Sequence, residues 1–436
     1  MRAPVLFACA SLTLAAAGAC ASSDDENATP TPTPDSGTNM LPDAAGNDAS
    51  TDASPDVELG LPTCSAAGWC TTTLPDGNLV MKDIWPHPDR AFALAESPTL
   101  GVKVLEWEDA TAEWKYIDDN TQNEDGFSQY AGTIWSPSDH EIYFAVAPNI
   151  IYHGTRPAPP EVGWSWSRSR LPDNSHSDEP AHAKHDHARP DSQLHDSVSL
   201  GVWGTGTDDV YAWYANTIFH RDRTDAGADV WLAEHIVEDH DVSDEHLFFV
   251  SAAGAGPEEV WFSGGRSTGP YYDCPLLVRK TYEGYRRIVD GIVGFDFNEP
   301  CSERPGTVFV GGARGWLTDV QPLGDGALVG LKGTFDVAHL APDGDDYSAS
   351  WSTVPHNVPS SAGSRSGYSS LFNSSGELWL TGWGLVVRST AGGPYEVSTI
   401  SLNGGPINSP FYRVRGTSKT NLWAIGARYA FHKTTP

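Results

Sequence analysis

The chain reads as an all-β protein, a seven-bladed β-propeller closed by an N-terminal strand in its last blade. Three observations predict this. A phrase recurs at roughly fifty-residue intervals: TIWSPSDHEIYFAVAPNIIYHG at 133–154, VWGTGTDDVYAWYANTIFH at 202–220 and VRGTSKTNLWAIGARYAFHK at 414–433. Each copy holds an apolar stretch, a polar turn, a strand with an aromatic near its start, a second turn and another short apolar strand. β-rich self-similarity at such a period marks propeller blades. The composition agrees, because 43 Gly, 32 Pro and 16 Trp suit short strands and turns better than helices. Finally, the last repeat stops one strand short, and an orphan strand stands near the opposite end of the chain.

From the N-terminus, residues 1–20, MRAPVLFACASLTLAAAGAC, read as an export signal. Arg2 gives a positive start, Val5 to Ala17 an apolar core, and small residues lead to Cys20. That run is too short and Ala-rich for a durable transmembrane helix. Ala17-Gly18-Ala19-Cys20 resembles the bacterial lipobox, which implies acylation of Cys20 as the first residue of the mature chain. Ala17 stands where Leu is usual, and the alternative is a plain secretory cut. Ser22 rather than Asp at the second place after Cys20 favours an outer-membrane address.

Residues 21–60 carry nine carboxylates, no Lys or Arg, and a Thr-Pro run from Thr29 to Pro34. Such a segment cannot bury a core and reads as a disordered, extended acidic linker. The propeller domain is expected over 61–436. GWCTTTLP at 68–75 is the orphan strand, with the Trp-polar-Leu-Pro look of an outer strand.

The repeats then align on the second strand of each blade through Phe92, Tyr143, Tyr211, Trp261, Val329, Trp379 and Trp423. Their spacing runs from 44 residues (Trp379 to Trp423) to 68 (Tyr143 to Tyr211, and Trp261 to Val329). Outer strands are expected at 114–118, 164–172, 229–237, 285–293, 350–355 and 395–402. Six outer strands for seven repeats leave 68–75 to complete the last blade, which removes an open sheet edge.

Cys64…Gly68-Trp69-Cys70 and the repeat Val202-Trp203-Gly204…Asp209-Val210-Tyr211-Ala212 resemble a group of bacterial surface lipoproteins. Those proteins carry a Cys…Gly-Trp-Cys entry followed by Val-Trp-Gly/Asp-Val-Trp repeats. The resemblance covers about 64–436 and implies a scaffold and a place at the cell envelope rather than a chemistry.

A formal charge of -30 excludes nucleic-acid or anionic-membrane binding by charge, since both need basic patches. Any membrane contact is expected through the N-terminal lipid alone. Gly265-Arg266-Ser267-Thr268-Gly269 fits the serine-hydrolase pattern, but that motif needs a strand-to-helix elbow, which an all-β repeat lacks. Ser389 to Tyr395 resembles a sialidase-type Asp-box hairpin with Ala391 in the place of the Asp.

His182, His185 and His187 are the candidate metal ligands, imidazoles suited to a borderline divalent ion. Their Pro-, Ser-, Asp- and Ala-rich surroundings imply a solvated loop with weak metal affinity and no dedicated cofactor. The stretches 173–195, 238–246, 291–306 and 356–367 all link a fourth strand to the next blade. They therefore share one face, where binding residues gather.

The four remaining cysteines point to disulfides in an exported chain. Cys64 and Cys70 flank the entry to the closing strand, while Cys274 and Cys301 fall on one face of the fourth blade. Crossed pairs would have to span the ring, beyond disulfide reach. The expected function is a non-catalytic binding module at the envelope with a protein or glycan partner. A carbohydrate-active propeller enzyme is the alternative.

The lipobox-like signal gives a direct expectation. Mass spectrometry of the mature chain should show diacylglyceryl-modified Cys20 as residue one, and Cys20→Ser should move the protein to the soluble fraction. An unacylated N-terminus beyond Cys20 would leave only secretion.

Overall fold

The computed structural model describes residues 64–435 apart from 125–129, 158–162, 176–197, 225–228, 243–244, 270–271, 297–298, 313, 356–366, 391–392 and 402–406. Seven four-stranded antiparallel sheets form the blades, with a separate two-stranded hairpin. In blades 1 to 6 the strands run in sequence order from the channel outwards. Their innermost strands are Val80–Pro86, Ala131–Ser138, Leu200–Gly206, His246–Gly256, Leu317–Gly324 and Tyr368–Ser374.

Blade 7 is built from Phe411–Ser418, Asn421–Gly426 and Tyr429–Lys433, and its fourth strand is β1 (Trp69–Thr71). The ring therefore closes as expected, over fewer residues than 68–75. Trp69 pairs with Lys433 and Thr71 with Phe431. Thr72 extends the contact, its N–H donating to the Ala430 carbonyl at 3.0 Å.

Each blade sheet has two apolar faces, so the core is divided. A main apolar cluster lies at each of the seven blade–blade interfaces, with a smaller one of Phe248, Val250 and Trp316 also between blades 4 and 5. The seven aligned second-strand residues, Phe92 to Trp423, are all buried in these seams. The Val-Trp-Gly phrase has a packing reason. A Cβ on Gly204 would stand 2.7 Å from the Trp135 ring of blade 2, and one on Gly254 2.7 Å from Trp203 of blade 3. Glycine thus lets each tryptophan lean into the next blade.

The acidic residue of the phrase has an electrostatic reason. In blade 3, Asp209 stands two residues before Tyr211 and accepts from the Tyr211 hydroxyl at 2.7 Å. His220 on the third strand stacks on that ring at 4.6 Å. Its nitrogens stand 3.1 Å from both Asp209 and Glu234. Blade 2 repeats the set with Glu141, Tyr143 and His153, the imidazole 3.0 Å from Glu141 and 2.8 Å from Asp229. Blade 7 replaces the acid with Asn421, 3.0 Å from His432, which stacks on Trp423 at 4.0 Å. Blade 1 reverses the signs: Arg90 precedes Phe92, and Glu106 faces it across the ladder, 2.9 Å from Arg90. These ionisable groups tie strands together.

One outer strand departs from expectation. The segment 285–293 is not a single strand. Strand four of blade 4 ends at Val289, and Gly291–Asp296 with Glu299–Glu303 makes the extra hairpin. The break falls at Asp290, whose fully buried carboxylate turns inward to Arg266. The described residues of 291–306 therefore include a paired hairpin rather than an irregular insertion alone.

Two outcomes follow. Trp69→Ala removes a fully buried ring and its 2.9 Å bond to Ser398, and should destabilise by about 3–5 kcal/mol and promote association through the freed edge. Chemical denaturation and light scattering check it, and a variant as stable and monomeric as the parent would refute the closure.

The second outcome concerns pH. Hydrogen bonds that its ring N–H groups donate to the Asp209 and Glu234 carboxylates raise His220 from 6.5 to about 9. Burial would raise Asp209, but its bonds to His220, Thr205 and Tyr211 lower it from 3.8 to about 2. The His220 contribution is then complete below its unfolded pKa of 6.5 and lost as pH rises through about 9. The Asp209 contribution is present above 3.8 and lost as pH falls through about 2. The melting temperature should fall more steeply between neutral and pH 9 in the parent than in His220→Gln; parallel curves would contradict this.

Candidate functional site

Innermost strands of all seven blades line a central channel holding two cavities, one of about 250 Å³ and one of about 410 Å³. The smaller lies where these strands begin, bordered by Lys82, Tyr368, Trp383 and Tyr412. The larger opens at their far ends, beside the turns into the second strands. Its walls include Trp85, Trp203 and Phe372, and a Ser-Ala-Ala-Gly-Ala-Gly run at 251–256.

The polar wall follows from a bulge. Inner-strand register shifts occur between Met81 and Asp83, Ala131 and Ile134, Phe249 and Ser251, Leu317 and Asp319, Tyr368 and Ser370, and Phe411 and Arg413. A bulge re-aims side chains and frees backbone groups. Here the polar residue beside it bonds a backbone N–H on the inner strand of the next blade. Asp83 accepts the Ile134 N–H at 2.9 Å, Thr133 the Val202 N–H at 2.8 Å, Asp319 the Leu371 N–H at 3.0 Å, and Ser370 the Val414 N–H at 3.2 Å.

Blade 7 supplies the cations. Arg413 stands 3.2 Å from Asp83 of blade 1 and 3.6 Å from Asp319 of blade 5. Arg415 grips both Asp319 oxygens, at 3.0 and 2.9 Å. Blades 5 and 7 are not neighbours, so these pairs reach across the ring past blade 6. Thr133 and Arg413 border both cavities, and the Arg–Asp bridge divides the channel between them. Burial alone would raise Asp319, but Arg415 and Arg413 hold its carboxyl below the usual carboxylate range. The charges at the septum match, two guanidiniums to two carboxylates.

A second polar concentration lies on the face of the interblade links. Arg266 is fully buried, with Nε 2.6 Å and Nη2 2.8 Å from the Asp290 oxygens and Nη1 3.2 Å from Glu245. Arg287 bonds Asp239 and Asp290, while Arg304 bonds Asp241 and stands 3.2 Å from Asp290. This network joins the 238–246 link to the extra hairpin, which the Cys274–Cys301 disulfide also fastens to blade 4. Cys64 pairs with Cys70 at the closing strand. The pairings expected from blade topology are thus the ones formed.

The remaining sequence motifs fall outside the channel. Gly265-Arg266-Ser267 belongs to the second strand of blade 4, Glu259–Ser267, with no elbow. Ser389 and Tyr395 pair across the last two strands of blade 6, Val386–Thr390 and Tyr395–Ser398, and Ala391, the residue in the place of the Asp, lies outside the described residues. His182, His185, His187 and Cys20 lie outside the described residues. Among the described residues no three His, Cys, Asp or Glu groups are placed to hold a metal ion. The sequence reading missed Asp83, Asp319, Arg413 and Arg415, although their recurrence two residues before or at the inner-strand aromatic row (Trp85, Gln321, Arg415) was a usable signal.

No protein-family model matches the chain, and no curated protein does. Among solved structures, a complex described as YCF48 bound to D1 peptide matches with TM-score 0.52 at 13% identity, covering 86% of this chain and 100% of that one. YCF48 from Cyanidioschyzon merolae matches with TM-score 0.51 at 11% identity, covering 85% and 99%. The β-propeller domain of Cps50 (Swd1) from Myceliophteria thermophila gives 0.48 at 10% identity, covering 84% and 100%. At such identities the likeness is one of fold, and the fold is the seven-bladed β-propeller.

Proposed function

We propose that the protein is an exported, lipid-anchored propeller acting at the cell envelope as a non-catalytic binding module, with its ligand in the larger channel cavity. The observation that carries this reading is the division of labour among the channel's polar groups. Asp83 and Asp319 are committed to arginines and to neighbouring backbone N–H groups. The larger cavity keeps uncommitted neutral groups beside open aromatic faces. Glycoside hydrolysis needs two carboxyl groups free to reach one bond, one of them protonated. A carboxylate held low by two guanidiniums serves that role poorly, so the enzymatic alternative draws no support from the channel. The fold-level likeness to a propeller-shaped chain solved with a bound peptide is in keeping with a binding role. The lipobox-like Cys20 and the acidic linker support the address.

The test uses the mature protein and its Ala255→Trp variant, since Ala255 is exposed at the cavity mouth and a large ring there narrows the entrance without entering a seam. Both are screened against glycan panels and envelope extracts. A ligand held by the parent, released by the variant and recovered chemically unchanged is the expected result. Undiminished binding by the variant, or conversion of the ligand, would sink the reading.

A further inference from the structure

The larger cavity has a definite chemistry. Its aromatic wall is built from one row of the repeat: Trp85, Trp203 and Phe372 occupy corresponding inner-strand positions, paired across the ladder with Phe92, Tyr211 and Trp379. All three are only partly buried, so each seals a seam while leaving surface toward the cavity. Blade 4 places Ala253 in that row, flanked by Ala252 and Gly254, and the small side chains make the space. The volume of about 410 Å³ falls within the ~300–1,000 Å³ usual for small-molecule clefts.

Three polar side chains of this wall, those of Gln321, Ser251 and Trp213, are neutral and free among the described residues. The Gln321 amide and the Ser251 hydroxyl make no side-chain hydrogen bond to another described residue. Trp213 borders the cavity at 1% exposure, and its indole N–H has no partner among the described residues. A buried donor left unpaired costs free energy that a bound acceptor recovers. The charged groups of the wall are already matched, Arg413 and Arg415 against Asp83 and Asp319.

We propose that this cavity binds the end of a neutral saccharide, an inference that rests on the channel being the ligand site. A pyranose ring offers a flat C–H face to an indole and a rim of hydroxyls to amide, hydroxyl and indole N–H groups. The alternatives fit less well. An ionic ligand would find every nearby counter-charge occupied. A peptide could not thread the channel past the Arg413 bridge, and entering end-first it would bring a terminal charge into a charge-matched cup. The terminal sugar of a neutral glycan brings none.

The experiment is titration of the mature protein, followed by tryptophan fluorescence and calorimetry. The probes are neutral gluco-, galacto- and manno-oligosaccharides, their uronic or sialylated counterparts, and a peptide digest of envelope protein. Saturable binding of a neutral oligosaccharide is expected, insensitive to salt and weakened about tenfold or more by Gln321→Leu and by Trp203→Ala. Because Trp203 also seals a seam, Ala255→Trp serves as the variant that leaves the core intact, and it should abolish binding. Preference for the charged sugars, or neutral binding untouched by Gln321→Leu and Ala255→Trp, would overturn the proposal. Peptide binding abolished by Ala255→Trp, with no sugar bound, would overturn the saccharide and leave the channel as the binding site. No binding by any probe would count against both.

Discussion

Ring closure is the constraint on which the rest of this molecule depends. A four-stranded sheet apolar on both faces cannot be stable alone, and every blade here buries each face against a different neighbour. Seven seams therefore share one condition, that the first blade meet the last. The condition is met by three residues, Trp69–Thr71, added to the edge of blade 7. Trp69 also packs edge-on to Trp379 of blade 6 at 6.0 Å, so the closing strand is seated in the neighbouring seam as well. The Cys64–Cys70 bridge sits at the same place and limits how far that short strand can fray.

The channel inherits its chemistry from the way the blades are joined. Bulged inner strands expose backbone N–H groups, and an acid or hydroxyl on the preceding blade accepts them. Two of these acceptors are aspartates, and in a narrow channel their charge has to be answered. Arg413 and Arg415 answer it across the ring rather than along it. Stitching the blades together thus also partitions the channel and leaves it without net charge at the septum. What remains for a ligand is the neutral, aromatic portion on one side.

The opposite face shows the same economy in another form. The long links were candidates for binding because they are irregular in sequence. The described ones are held by the buried Arg266, by Asp290 and by a disulfide. A guanidinium surrounded by three carboxylate-bearing residues, Asp239, Glu245 and Asp290, orders these links at the expense of their freedom, so length of insertion is a poor guide here to an adaptable surface.

How much was legible beforehand follows from the range of each interaction. Local pattern determined the blades: the aromatic or apolar residue on each second strand and the turn residues between strands are set by near neighbours in sequence. Blade number, circular closure and the two cysteine pairs followed, because antiparallel topology fixes which loops share a face. The break at Asp290 did not, since an apolar run reads as one strand until the buried Arg266 that draws the carboxylate inward is in view. The channel was likewise invisible, because Arg415 and Asp319 lie 96 residues apart and meet only once the ring has closed. Sequence alone determined the repeat and hence the scaffold. Tertiary structure alone decided which charges cancel and which surfaces stay open, because both depend on distances across the channel that no local pattern encodes.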